Sequence, residues 1–402
     1  MKILQLMKWL PLREDSGGRI RAAHLGRGLA SFAGVDAMGF VAPGETIDAD
    51  PGRHEHYDRL FPIPLPPSPK RLGRTLAGFA AGLSLRSARF FDREMVRSLS
   101  MAVREGHYDA VQAEELPLMS VARSLPPDIP IVYSAYNVES ELSSDLVSRG
   151  GFLLGPAASL EKRRTQGEER SALARSAFCL TVSGNDKDAL RRLGAGIDVP
   201  IHVLPNCAPD RFVPGPETIR ESDILIVGSF GWFPNWDGLR WFLNRVLPLV
   251  RERNACVRVL VAGSGLGPAR RREIESRAVE VRPDPPDMLP LFHRSRMMVV
   301  PVRLGGGTRI KIMEAWAAGL PVISTSIGIE GHDHRPGEDC LVADDPAALR
   351  DAILRLLEEP LLQERLRAAG LENARGRRWS DLTPKLERAY REALGGRENG
   401  RP

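Results

Sequence analysis

No stretch of about 18 consecutive apolar residues occurs in this chain of 402 residues, which excludes a membrane-spanning helix. Cysteine is scarce: Cys179, Cys207, Cys256 and Cys340 lie far apart, several in apolar surroundings and without metal-like spacing. Reduced core thiols are expected, which suits a cytoplasm. An excess of one charge is nearly missing too. The 56 Lys and Arg against 51 Asp and Glu leave only +5, too little to argue for nucleic acid. A full Gly-x-Gly-x-x-Gly is absent, since Gly263-Ser264-Gly265-Leu266-Gly267 matches it only in part; this weighs against a dinucleotide-dependent oxidoreductase. His332 and His334 have no third ligand nearby in sequence, whereas a catalytic zinc needs three protein ligands. Asp48-Ala49-Asp50 sits in a polar loop without a flanking apolar strand. No metal and no cofactor are therefore expected. The run Met1–Lys8, broken by its terminal lysine, reads as a strand too short for a signal peptide, so the expected location is inside the cell.

What is present is an ordinary globular composition, 43% hydrophobic and 27% charged, long enough for two or three domains with real cores. Apolar strands alternate with helical stretches twice over. The first series starts at Lys2–Trp9, passes through Gly17-Gly18 into a helix beginning about Arg19, and continues with Val35–Val41, Asp109–Gln112, Ile131–Ser134, Phe178–Val182 and Ile201–Leu204. The segment from Pro43 to Pro69 reads as loop, and Leu160–Ala177 as a charged helix. Pro209, Pro214 and Pro216 mark a linker. A second series opens at Ile224–Val227, followed by Gly228 and a helix from about Asn235. This α/β organisation predicts two Rossmann-like parallel-sheet domains facing across a cleft, residues 1–213 and 214–378, with a last helix over 379–394.

The stretch around which the second series is organised runs from Pro301 to Thr325. Met297–Val302 reads as a buried parallel strand. Gly305, Gly306 and Gly307 follow, then a helix from near Thr308 that Gly319 stops, then the apolar Val322–Ser324. Free N–H groups and the dipole at that helix start suit an anion. Arg309 and Lys311 add positive charge, and Glu314 lies one turn further on. A loop cradling phosphates, two cations and a carboxylate for sugar hydroxyls would fit a nucleotide diphosphate. A tight strand–helix turn with solvated charges is the plain alternative.

Gly305 to Ile323 resembles the donor-site signature of the retaining GT-B glycosyltransferases, the large family of glycosyl transferases group 1, and in particular its bacterial polysaccharide-type sugar transferases. The family commonly has two glutamates separated by about seven residues; Glu314 matches the second, which usually holds the ribose, while the place of the first is taken by Gly306. The resemblance extends over nearly the whole chain. Ala135–Ser140 is similar to a His-Asn-Val-Glu element, with Tyr136 in the place of the histidine and Asn137 and Glu139 matching. Ser183 and Asn206 fall in segments that close the N-terminal domain of relatives, and Trp379–Leu394 matches a terminal helix that returns to that domain. Relatives often place an arginine and a lysine in the loop after Val227, where this chain has Trp232, Pro234, Asn235 and Trp236.

The resemblance implies a sugar moved from a nucleotide-diphosphate donor to a glycan or lipid-linked acceptor, with the anomeric configuration retained and no metal required. Arg309 and Lys311 would take the leaving charge as the catalytic cations. The donor would meet Gly17, Gly18, Gly228, Asn235, Gly305, Gly306, Gly307, Thr308 and Glu314, and the acceptor or cleft side Arg21, Asn137, Glu139, Ser183 and Asn206. A phosphorylase or epimerase on the same fold, a non-catalytic partner subunit and a soluble small-molecule acceptor stay open as alternatives.

From Lys70 to Arg104 eight Lys and Arg face only Asp92 and Glu94, a local +6, with Leu72, Leu76, Phe79, Phe90 and Phe91 between them. Two readings follow: a basic amphipathic segment that touches an anionic membrane surface, or a helical hairpin packed on the first sheet with a solvated basic face.

Overall fold

The structure is a computed structural model that describes residues 1–41, 44–47, 54–65, 67–141, 155–215 and 221–395. Asp48-Ala49-Asp50 lies outside them. The chain divides into two compact units, one of Met1–Glu14, Gly18–Pro205 and Leu382–Pro402, the other of Asp15–Gly17 and Asn206–Asp381.

The first unit holds a seven-stranded sheet in the order β3-β2-β1-β4-β5-β6-β7. Its strands are β1 Lys2–Trp9, β2 Gly34–Val41, β3 Arg59–Pro64, β4 Ala110–Glu114, β5 Ile131–Ser134, β6 Phe178–Thr181 and β7 Ile201–Val203, all paired in parallel. β3 corrects the loop expected over Pro43–Pro69. Pro62 and Pro64 are tolerated because β3 is an edge strand, where a missing N–H breaks no inner ladder. Ile3–Met7 of β1 and all of β4 are buried at consecutive positions, as in a parallel sheet covered on both faces. Leu4, Leu6, Met38, Val111, Tyr133 and Cys179 anchor one side of this core.

The helix Trp379–Leu394 belongs mostly to this first unit. Its Tyr390 hydroxyl donates to Gln112 Oε1 at 2.6 Å and its ring packs edge-on against Phe178 at 5.1 Å. A segment from the far end of the chain thus covers the middle of the first sheet.

The second unit holds a six-stranded parallel sheet in the order β10-β9-β8-β11-β12-β13. The strands are β8 Ser222–Val227, β9 Val259–Gly263, β10 Glu280–Pro283, β11 Ser295–Val300, β12 Val322–Ser324 and β13 Leu341–Val342. Alternate residues divide between two cores: Ile224, Ile226, Val259 and Val261 pack with Leu349 and Ile353, while Leu225, Leu260, Met298 and Val300 pack with Phe292 and Trp316.

In both sheets the strand order reverses direction next to the first strand, between β1 and β4 and between β8 and β11. The crevice beyond the carboxyl ends of such a pair is where open α/β sheets bind ligands. Among the described residues, no helix is long and apolar enough to cross a membrane, and Cys179, Cys207 and Cys340 are buried thiols while Cys256 is exposed.

Candidate functional site

Beyond β8 and β11 the second unit gathers most of the residues singled out in sequence. The helix Phe233–Trp241 approaches the end of β11 so closely that a Cβ on Gly238 would stand 2.2 Å from the Pro301 carbonyl oxygen. The ends of β8 and β9 are equally tight: Gly263 has φ +137°, and a Cβ there would lie 2.0 Å from the Gly228 oxygen. These two glycines let Asn235, at the start of the helix, reach the turn after β8, where its Nδ2 donates to the Ser229 carbonyl at 2.9 Å.

Lys311 completes that junction. Its Nζ donates to the Val227 carbonyl at 2.6 Å and to Asn235 Oδ1 at 3.3 Å, and a Cβ on Gly228 would lie 3.3 Å from it. Burial pushes the ammonium down to about 7, helped by the positive charge of Arg309 and opposed by the carboxylate of Glu314. Gly228, Asn235 and Lys311 therefore meet, and Lys311 reaches to the end of β8 and not to the start of its own helix.

The glycine loop departs from expectation in two respects. The helix begins at Ile310 and not near Thr308, with Arg309 as an extended N-cap at φ −98°. The Arg309 guanidinium folds back over the loop, donating to the carbonyls of Gly305 and Gly306 at 2.7 Å each and to that of Gly307. A guanidinium with five donors satisfies three neighbouring carbonyls at once, and Gly305 and Gly307, at φ +90° and +79°, supply the turns that present them. Gly306 has open space where a side chain would stand. Thr308 is tied to Asn206, whose Nδ2 donates to the Thr308 hydroxyl at 2.7 Å. Glu314 is 9% exposed.

His332, for which the sequence suggests only a metal-ligand role, is placed against the glycine loop. Its Nε2 lies 3.1 Å from the Arg309 backbone nitrogen and its ring stands edge-on to Trp316 at 5.7 Å. Burial pushes it down to about 3, so it is neutral and can accept the N–H that opens the helix. His334 Nδ1 lies 2.8 Å from the His332 carbonyl. The pair supports the loop, and among the described residues no group of three His, Cys, Asp or Glu could hold a metal ion.

The remaining predicted residues do not all join one site. Gly17 falls in the second unit, 3.9 Å (from a would-be Cβ) from Ile310 Cδ1, while Gly18 falls in the first. Arg21, 1% exposed, donates to the Leu204 carbonyl at 2.9 Å and lies 5.3 Å over the Tyr136 ring. Ser183 is engaged as a helix cap, accepting from Asp186 N and donating to the Asp186 carboxylate. Glu139 pairs with Arg86 at 2.6 Å, and Asn137 hydrogen bonds to Glu139. Arg86, Lys8 and Glu115, which complete that second cluster, carry no local motif. The meeting of β1, β4 and β5 brings Lys8, Glu115 and Glu139 together, and the helix Leu85–Phe90 adds Arg86.

Residues 221–359 match the family of glycosyl transferases group 1. The match takes in 139 of the 402 residues, all of them in the second unit. The match covers the strands β8 to β13, and with them the whole junction of Gly228, Asn235, the glycine loop and Lys311. A D-inositol 3-phosphate glycosyltransferase 1 of Catenulispora acidiphila is 32% identical over 130 residues, 31% of this chain and 30% of that protein. The chain spans less than half the length of the first curated relatives it matches. Among solved structures, the sucrose-phosphate synthase of Thermosynechococcus elongatus superposes with a TM-score of 0.73 at 17% identity, over 98% of this chain and 100% of that one. HepE of Anabaena, in complex with UDP-glucose, gives 0.66 at 12% identity over 97% and 99%. The fold is GT-B, with two Rossmann-like parallel-sheet domains.

Proposed function

We propose that this chain is a group 1 glycosyltransferase that moves a sugar from a nucleotide-diphosphate donor to a glycan or lipid-linked acceptor, with retention of configuration and without a metal. The junction of Lys311 with the end of β8 carries the reading. It lies at the switch point of a parallel sheet, beside a glycine loop, inside the stretch that matches the family. An ammonium held near 7 by burial gains most from an incoming diphosphate, which restores its proton and replaces the Val227 carbonyl as its partner. Arg309 can exchange the loop carbonyls for phosphate oxygens, which turns the loop from self-bonded to ligand-bonded. Both cations then stabilise the leaving diphosphate, and Glu314 remains for sugar hydroxyls. The UDP-glucose bound by HepE supports a nucleotide-sugar donor. A thermal-shift panel of sugar nucleotides tests it: one nucleoside diphosphate and its sugars should raise the melting midpoint by mass action. A flat response to all of them at millimolar concentration would overturn the reading.

A peripheral membrane contact of the first unit is favoured by one specific observation. On the helix Ser68–Ala80, Leu72 and Leu76 are 63% and 59% exposed and four residues apart, hence on one face. Phe90 and Phe91, counted with them in sequence, pack instead against the first core, Phe90 edge-on to Trp9 at 6.2 Å. The lipid-facing surface is then the two leucines and exposed Lys70, while Arg74 beside them pairs with Asp92, Phe79 stacks against Arg164 at 4.0 Å, and Phe90 and Phe91 lie inside.

A further inference from the structure

At the switch point of the first sheet four charged side chains from separate segments meet. Lys8, near the end of β1, donates to Glu115 Oε2 at 2.5 Å, and Arg86 donates to the same oxygen at 3.3 Å. Arg86 also pairs with Glu139 Oε2 at 2.6 Å. Glu115 directly follows β4, where it has φ +70°, a conformation L side chains rarely adopt. The two carboxylates are 8% and 4% exposed, yet the cations keep an outlet, with Arg86 at 28%. Over Glu115 lies bare backbone: a Cβ on Gly18 would be 3.4 Å from Glu115 Oε1 and 3.7 Å from the Tyr136 ring.

The charges cancel, two cations against two carboxylates. The neighbouring groups offer no surplus. Arg21, on the Leu204 carbonyl and the Tyr136 face, is matched in charge by the neighbouring Glu114, which accepts from Gln5 at 2.6 Å and Gln112 at 2.5 Å. Glu169 accepts from the Glu139 N–H at 2.6 Å. A cancelled array of donors and acceptors matches hydroxyl groups, which both give and take hydrogen bonds. It does not match a phosphomonoester, which brings up to about two negative charges that no spare cation here would meet.

Resting on the transferase reading above, we infer that Glu115, Arg86, Lys8 and Glu139 form an acceptor subsite for the hydroxyls of a neutral sugar and discriminate against a phosphorylated acceptor. In this subsite Glu115 accepts from one hydroxyl, Arg86 donates to its neighbour, and Lys8 and Glu139 hold the pair in place.

Saturation-transfer NMR and titration on the full chain, with UDP present, test this with glucose, N-acetylglucosamine and myo-inositol against glucose 1-phosphate and D-inositol 3-phosphate. At least one neutral probe should bind more tightly than the phosphorylated ones. Glu115→Gln should weaken the neutral probe about tenfold and strengthen the phosphorylated ones, since the cluster is then left with a net positive charge. If that variant fails to fold, Glu139→Gln makes the same change of charge. A purely structural cluster would not reverse the preference. Absence of binding by every neutral probe, a wild-type preference for the phosphates, or an unchanged ranking in the folded variant overturns the inference. The nucleotide panel on the same preparation separates the two readings. Nucleotide binding without sugar binding defeats this inference alone, and sugar binding without nucleotide binding defeats the transferase reading.

Discussion

Each sheet ends in a cluster at its switch point, and the two are equipped in different ways. The second unit uses backbone and uncancelled cations: three glycines, the N-cap Arg309 and Lys311, with carbonyls as the partners that hold them. The first unit uses side chains in matched pairs, Lys8 and Arg86 against Glu115 and Glu139. A carbonyl carries only a partial charge, so a cation resting on one keeps most of its attraction for an anion. A cation resting on a buried carboxylate has lost it. Under the proposed function, this difference is the reason to expect the anionic substrate at the second unit and the neutral one at the first.

The largest expected effect comes from removing the most buried of the uncancelled cations. Lys311→Ala should weaken nucleoside-diphosphate binding by about 1.5–3 kcal/mol, roughly tenfold to 150-fold, as loss of a charge-assisted bond. Calorimetry reads this, and an unchanged affinity would remove the second unit's claim to the diphosphate. A pH series sharpens it. Below about 7 Lys311 is already protonated, so affinity should be flat with respect to this group; above about 7 binding must take up a proton, and affinity should fall by up to about tenfold per pH unit. Lys311→Arg, charged throughout, should flatten that slope.

Arg309→Ala should have a smaller effect, about 1 kcal/mol, because the wild-type guanidinium must first give up three loop carbonyls before it can serve a phosphate. Should Arg309→Ala bind nucleotide more tightly than wild type, the guanidinium would be a lock on the loop and not a ligand group, and the comparison would rest on Lys311 alone.

The same contrast explains what could be read from the chain and what could not. The glycine loop, Arg309, Lys311 and Glu314 lie within ten residues, so strand, turn and helix periodicity sufficed to bring them together. What periodicity did not carry was where Arg309 points. Its conformation is chosen by competition between loop carbonyls and the helix start, a matter of a few hydrogen bonds. In the first unit Lys8, Arg86, Glu115 and Glu139 are spread over more than 130 residues, and they are joined by the placing of β1 beside β4 beside β5 and of the helix Leu85–Phe90 against their ends. Asn137 and Glu139 were legible from a local element, whereas Glu115 follows β4 with no motif to mark it. Pro62 and Pro64 misled in the other direction, since their effect on a strand depends on whether it is an edge, a property of the sheet and not of the segment.

A further test concerns the helix Ser68–Ala80, which carries Lys70 beside its exposed Leu72 and Leu76. At low salt the protein should sediment with anionic vesicles and remain in the supernatant with neutral ones, each surface cation contributing about 1 kcal/mol near the membrane. Leu72→Ser with Leu76→Ser should reduce the bound fraction several-fold, and about 0.5 M salt should release most of the rest. Protein that stays in the supernatant with anionic vesicles at low salt would leave only a solvated basic face and point to a soluble acceptor.

The smallest expected effect is that of chelation. If the uncancelled cations of the second unit carry the leaving diphosphate, a divalent ion has little left to neutralise, and transfer should proceed in excess EDTA at close to its untreated rate. Among the described residues, the two histidines weighed as metal ligands are engaged elsewhere. His332 lies with Nε2 against the Arg309 backbone, and His334 Nδ1 faces the His332 carbonyl. Neither arrangement leaves the convergent lone pairs that a bound ion requires. The decisive assay follows sugar transfer after exhaustive chelation, then with Mg²⁺ or Mn²⁺ returned. Activity lost to EDTA and restored only by the ion would mean that Arg309 and Lys311 do not suffice, and that the second unit meets its anion through a metal carried in with the nucleotide.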